Sequence, residues 1–147
     1  MRYLLLLCLV FFLVPRVFSQ SNYFQQEVNY KIDVTLDDKA HTLSGNISME
    51  YTNNSPDALE YIFIHLWPNA YSDKNTAYAK QTLNQGNDNF HFAEAKDLGS
   101  ITEMDFKVNG TSCTIEKDKA NRDIVKVLLS KPLQAGETTT ITTPFVV

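Results

Sequence analysis

Residues 30–37 read YKIDVTLD and residues 42–51 read TLSGNISMEY, and these two segments decide the fold. Apolar side chains alternate with polar ones in both segments, a period of two that is typical of a β-strand with one buried face. A polar turn, DDKA at residues 37–40, joins the two strands. Gly45 falls in the inward-facing series and predicts either a bulge or a close approach of two backbones.

Further predicted strands follow along the chain. Residues 59–66 carry apolar side chains on both faces of the predicted strand, which favours a central strand covered on two sides. Asn109-Gly110 predicts a type I′ hairpin between a strand ending at Val108 and one that carries Cys113. Two more strands are predicted at residues 124–129 and 138–147, the second restricted to an edge or a bulge by Pro144. About seven short strands predict an all-β fold, an antiparallel β-sandwich or a curved pair of sheets.

The long loop between residues 68 and 98 interrupts this pattern. We expect it to carry a short helix that begins at the cap residue Asn75, runs through Leu83 and ends at Gly86. Loops of this length are uncommon unless they are functional or pack on a neighbour. The aromatic side chains leave two interpretations open, a binding surface or a satellite cluster packed beneath the loop. They are Tyr71, Tyr78, Phe90 and Phe92.

The first residues predict export. A short basic lead precedes eleven apolar residues at positions 4–14, and the pattern fits a signal peptide of residues 1–19 that is cleaved before Gln20. Eleven residues span only about 16 Å as a helix, against about 30 Å of bilayer core. We therefore expect a secreted or periplasmic domain at residues 20–147, with no membrane anchor after cleavage. Cys113 would then be its sole thiol, and we expect it to be a buried, unreactive core residue.

Charge and motifs exclude several functions. The chain has 13 basic and 17 acidic residues, a net charge of −4, and no Lys/Arg cluster that would neutralise phosphates. This composition excludes a nucleic-acid partner. The three histidines, His41, His65 and His91, lack the H-E-x-x-H spacing of a zinc helix. Nucleophile-elbow, P-loop and dinucleotide motifs are absent as well. We assign no catalytic, metal-binding or cofactor-binding residue to this chain.

Three groups of segments, taken in order, resemble the N-terminal part of the sequences of a known protein family. They are residues 30–37 with 41–45 and 49–56; residues 64–71, IHLWPNAY; and residues 131–138, KPLQAGET, with 141–147. Together they are similar to the N-terminal domain of a secreted bacterial zinc aminopeptidase of the aminopeptidase N (gluzincin) family, over residues 24–147. The resemblance implies a saddle-shaped β-sandwich that precedes a thermolysin-like catalytic domain and a helical domain.

The resemblance also implies a role. In such enzymes an H-E-x-x-H helix and a downstream Glu hold zinc, and neither occurs in this sequence, so we expect the chain to be inactive alone and to lack a zinc site. We expect zinc in a catalytic domain that lies beyond a truncated C-terminal end. The role implied is to cover the active-site cleft and help position the peptide N-terminus, with that domain and the peptide substrate as partners. The alternative is a free-standing secreted β-sandwich that binds through the Trp67–Phe92 loop.

Overall fold

The computed structural model describes residues 23–147, which form an all-β, sandwich-like fold of two antiparallel sheets and one short α-helix. The predicted fold class is confirmed, and the predicted signal peptide at residues 1–19 lies outside the described residues. The strands are β1 (Glu27–Asp37), β2 (Thr42–Thr52), β3 (Leu59–His65), β4 (Lys107–Val108), β5 (Thr111–Ser112), β6 (Ile115–Lys117), β7 (Ile124–Leu133) and β8 (Thr138–Val146), and the α-helix is α1 (Ala77–Asn84).

The larger sheet has the strand order β1-β2-β8-β4-β5. β1 and β2 pair over eleven residues without a register shift, with Ile32 opposite Ile47 and Tyr30 opposite Met49. Residues directly opposite each other point to the same face, so the apolar series of the two strands share one face of the sheet. The two strands and their alternation are therefore as the sequence predicts. Gly45 marks a close approach rather than a bulge in this pair.

The smaller sheet has the order β3-β7-β6, and it corrects the prediction for β3. β3 lies at the edge of this sheet instead of at its centre. Its inward residue Ile62 is buried, whereas Tyr61 and Phe63 on the other face are exposed. The strand is apolar on both faces as the sequence indicates, but within residues 23–147 only one of those faces is covered.

The core lies between the two sheets. Met49 and Ile141 come from the larger sheet, and Ile62, Val125 and Val127 come from the smaller one. Each such side chain contributes about 1.5–3 kcal/mol when it leaves water. Burial ends abruptly on β1, where Val28 packs against the core but the next apolar residues are between 52% and 70% exposed. These are Tyr30, Ile32, Val34 and Leu36, and the prediction that they form a buried face is wrong because the three-stranded sheet does not extend over them.

β8 is an interior strand, so the prediction of an edge strand at Pro144 is wrong. The argument for it, that proline has no N–H to donate to a ladder, still holds at this position. On the side away from β2, β8 pairs with Lys107 opposite Thr142 and with Thr102 opposite Val146. Between these points the neighbouring chain leaves the ladder, and the Asp105 backbone N–H donates to Thr143 Oγ1 instead. The N–H that Pro144 lacks falls in this gap, so no ladder hydrogen bond is lost.

The predicted loop helix is present as α1. Thr76 caps it, not Asn75: the Ala79 N–H donates to Thr76 Oγ1 at 3.2 Å. Gly86 follows the helix at φ +80°, a left-handed conformation that glycine adopts without strain. A 3₁₀ turn at Trp67–Tyr71, with Pro68 in its first turn, connects β3 to this region.

Candidate functional site

Four ring side chains line the outer face and the end of β3. We call Tyr61, Phe63, His65 and Trp67 the aromatic row. Alternation along β3 turns Ile62 and Ile64 inward and the first three members of the row outward. The Tyr61 and Phe63 rings meet edge to face at 5.3 Å, and the His65 and Trp67 rings stack at 4.1 Å. Phe63 and Trp67 are 63% and 68% exposed, so the row is a surface feature.

Charged groups surround the aromatic row. Lys126, opposite Phe63 on β7, places its ammonium group 4.2 Å from the centre of the Tyr61 ring and 3.1 Å from a carboxylate oxygen of Glu116. His65 Nε2 lies 3.4 Å from Asp123 Oδ2. A shallow depression of about 260 Å³ beside Phe63 is lined partly by Ile124 and Lys126. Aromatic surface with a polar rim is the arrangement found at protein interfaces.

An apolar cleft lies between β1 and β3. Its volume is about 310 Å³, and its walls include Tyr30, Met49, Ile62 and Trp67. His65 is the one titratable imidazole on the wall, and the carboxylate nearest to it, Asp123, is not part of the lining. The cleft therefore suits apolar contact rather than acid–base chemistry.

The aromatic residues of the long loop divide into two groups. The rings of Tyr71, Tyr78 and Phe90 form a cluster with centroid distances of 4.6, 5.5 and 6.0 Å. This is the satellite cluster that was one of the two predicted interpretations. Phe92, in contrast, is 72% exposed, and Trp67 is 68% exposed. These two side chains of the loop are therefore the ones that could form a binding surface.

The histidines lie in three separate places. His41 lies in the β1–β2 turn, His65 ends β3, and His91 lies in the long loop. Within residues 23–147 no three His, Cys, Asp or Glu side chains are grouped closely enough to hold a metal ion. The two carboxylates with clear pKa shifts have structural roles instead. Asp37 accepts backbone N–H bonds from Ala40 and Lys39, and these bonds lower its pKa. Asp118 accepts from the side-chain amide of Asn121 and from the backbone N–H groups of Ala120 and Asn121, and these bonds lower its pKa.

Cys113 is half-buried rather than fully buried. Its Sγ lies 3.2 Å from the Phe106 carbonyl oxygen, to which it donates, and burial raises the pKa of the thiol. A raised pKa keeps the group as a neutral thiol, the form that does not act as a nucleophile.

No protein-family model, no curated protein and no solved structure matches this chain. Across residues 23–147, none of the helices has the length and apolar character needed to cross a membrane. Of the aromatic row, only Trp67 belongs to the binding surface that the sequence predicts as an alternative, and Tyr61, Phe63 and His65 are not predicted as part of a site. Their signal was the apolar outer series of residues 59–66, which was assigned to a covered strand.

Proposed function

We propose that this chain is the non-catalytic N-terminal β-sandwich domain of a secreted zinc metallopeptidase of the aminopeptidase N family. In the longer polypeptide it covers the active-site cleft and helps to position the N-terminus of a peptide substrate. The resemblance of residues 24–147 to that domain supports the proposal, and so does the all-β fold. The single observation that carries it is the aromatic row, an uncovered face on a strand whose sequence is apolar on both sides.

The aromatic row is suited to a second domain of the same polypeptide. Monomeric proteins rarely leave large contiguous apolar surface exposed, and covering Phe63 and Trp67, each about two thirds exposed, would contribute about 1–2 kcal/mol for each side chain. A covalently linked domain can use this free energy without the translational and rotational cost of bringing two molecules together. The polar groups at the rim, the Lys126–Glu116 ion pair and the contact between His65 and Asp123, would fix the orientation of that domain.

Recovery of the native polypeptide tests the proposal. Antibodies raised against residues 23–147 would be used to isolate the protein from its source. We expect a polypeptide much longer than 147 residues that contains zinc and releases N-terminal amino acids from peptides in a chelator-sensitive manner. A recovered protein of this length, without zinc or peptidase activity, would refute the proposal.

Two matched substitutions then test the role of the aromatic row. In the longer enzyme Phe63→Ser should lower thermal stability and raise the KM for peptides, because it removes apolar surface from the domain contact. The same substitution at Phe92, which is 72% exposed against 63% for Phe63 and lies outside the row, should change neither property. Equal effects of the two variants would contradict docking through the row.

The free-standing binding module remains the second candidate, and the exposure of Trp67 and Phe92 favours it. Under this function the native protein would have the length of this chain, and Phe92→Ser would weaken ligand binding more than Phe63→Ser. The order of these two effects separates the candidates.

A further inference from the structure

Within residues 23–147, β1 is a sheet edge of eleven residues, bordered on one side only by β2. A long edge strand exposes a row of backbone N–H and C=O groups that can pair with another strand. Charged side chains and bulges commonly protect such edges, but β1 pairs with β2 without a bulge and carries an exposed apolar series. β1 thus combines a long unpaired edge with uncovered apolar side chains.

The hydrogen-bond pattern determines which β1 residues face the free edge. Leu43 and Val147 exchange backbone hydrogen bonds of 2.8 and 2.9 Å, so Leu43 directs its backbone groups away from β1. In an antiparallel sheet the backbone groups of successive residues point to opposite sides of the strand. The even-numbered residues of β2 therefore direct their N–H and C=O groups toward the odd-numbered residues of β1. The even-numbered residues of β1, including Ile32, therefore direct their N–H and C=O groups outward. They are the same residues that form the exposed apolar series.

The β1 sequence is complementary to itself over residues 28–36 in antiparallel pairing, and pairing over the full strand would place Glu27 opposite Asp37, so the paired segment is residues 28–36. If Ile32 pairs with Ile32 of a second copy, Tyr30 pairs with Val34 and Val28 with Leu36 on the apolar face. On the other face, Lys31 pairs with Asp33 twice, once on each side of the two-fold axis. Neither Lys31 nor Asp33 forms an ion pair within residues 23–147, so both charges are available. Opposite charges on directly paired residues stabilise antiparallel strands.

We infer that β1 is a homodimer interface, in which two copies pair antiparallel about Ile32 and join their five-stranded sheets into one sheet of ten strands. The pairing satisfies the outward backbone groups and places both apolar series on one continuous face. It uses the backbone edge of β1, whereas the proposed function uses the outer face of β3, so it stands whether or not the proposed function is correct.

Charge reversal at the paired positions provides the test. The full 147-residue chain would be expressed, purified as its host processes it, and studied by sedimentation over a concentration series. We expect a dimer whose dissociation constant rises about tenfold or more for Lys31→Asp and for Asp33→Lys, because each substitution places two like-charged pairs at the interface. The double variant K31D/D33K restores opposite charges and should restore the dimer. Lys119→Asp, the same charge change in the β6–β7 turn, should have no effect.

The remaining outcomes oppose the inference. A protein that stays monomeric at its solubility limit would refute it, and a contact between β1 and another part of a longer polypeptide would then be the alternative to test. A dimer that is insensitive to the single charge reversals, or not rescued by the double variant, would place the interface elsewhere.

Ile32→Lys provides a second check, because it places two ammonium groups together on the two-fold axis of the dimer, whereas in the monomer the side chain at this position is exposed. Circular dichroism would verify that each variant is folded.

Discussion

At the residue scale, Asn53 is a fully buried polar side chain that makes several hydrogen bonds. It has no exposed surface, and its side-chain amide donates to the carbonyl oxygens of Asp57 at 2.8 Å and Leu133 at 3.0 Å. Its side-chain oxygen accepts from the backbone N–H and the hydroxyl of Ser55. One side chain therefore connects the β2–β3 turn to the end of β7.

Asn53→Ala should destabilise the protein by about 2–4 kcal/mol, because several buried polar groups lose their partners at once. The neighbouring Asn54 offers a matched control, since it is exposed and its side chain makes one bond, to the Gln25 carbonyl oxygen. Asn54→Ala should cost less than about 1 kcal/mol. Urea unfolding monitored by tryptophan fluorescence measures both, and equal costs would contradict this role for Asn53.

Gly45 leaves no room for a side chain. A Cβ at this position would lie 2.3 Å from the Asp33 carbonyl oxygen and 3.1 Å from the Phe145 ring. Because the backbone oxygen is held in the β1–β2 ladder, we expect Gly45→Ala to destabilise the fold by about 1–3 kcal/mol. Gly99→Ala, where a Cβ meets nothing within 4 Å, should change stability by less than about 0.5 kcal/mol. A tolerated Gly45→Ala would show that β1 is not held this close to β2.

The Cys113 thiol gives a pH-dependent prediction. Burial raises its pKa in the folded state, so the folded protein retains the proton to a higher pH than the unfolded chain does. The stabilising contribution is complete below the pKa of the unfolded thiol and is lost as the pH rises through the folded pKa. Alkylation of the native protein should therefore be slower than that of the urea-unfolded protein and should accelerate at alkaline pH. Equal native and unfolded rates near neutral pH would indicate a fully accessible thiol.

At the element scale, α1 depends on the cap that Thr76 provides. The Thr76 hydroxyl accepts from the Ala79 N–H and also donates to the Ala70 carbonyl oxygen at 2.7 Å, so it links the helix to the preceding 3₁₀ turn. Thr76→Ala should cost about 1–2 kcal/mol and loosen the Tyr71–Tyr78–Phe90 cluster. Near-ultraviolet circular dichroism and urea unfolding would report both effects. Asn75→Ala, at the exposed residue that the sequence favoured as the cap, should cost less than about 0.5 kcal/mol.

The elements differ in how far the sequence predicts them. The alternation of β1 and β2 and the Asn109-Gly110 turn are local signals, and all three appear where the sequence places them. The strand after that turn is shorter than predicted, because β5 ends at Ser112 and does not carry Cys113. Asn75 and Thr76 are both good cap residues, and the hydrogen bond from the Thr76 hydroxyl to the Ala70 carbonyl oxygen, distant from the cap itself, distinguishes them. What covers an apolar face is a non-local property. The sequence therefore predicts that β1 and β3 are strands with apolar faces, but not that these faces stay uncovered.

The candidate site was less predictable than the fold for the same reason. Tyr61, Phe63 and His65 form a row only because β3 lies at the edge of the smaller sheet, and sheet order depends on pairing with β7, about 60 residues away. The absence of a zinc-helix motif could be read from the sequence directly, because that motif is local. An interface formed by exposed side chains has no such local pattern.

At the scale of the whole molecule, the proposal of a secreted protein makes a prediction about the mature chain. We expect the exported protein to begin at Gln20, because the basic, apolar and small residues of positions 1–19 follow the order that signal peptidase reads. Intact-mass spectrometry of exported protein would measure this. Recovery of a chain that retains residues 4–14 would contradict export by cleavage, and a mutated site, Ser19→Pro, should block processing without changing residues 23–147.

The central position of β8 has a consequence for how the chain reaches its native state. β2 is made early, yet its partner across the larger sheet is β8: the hydroxyls of Thr52 and Thr138 lie 2.8 Å apart although 86 residues separate them. During synthesis, at about 5–20 residues per second, β2 must wait for several seconds before its partner emerges. Contacts so distant along the chain raise the contact order and slow folding. The larger sheet thus forms only after β8 has been made, and until then β2 can pair only with its neighbour β1.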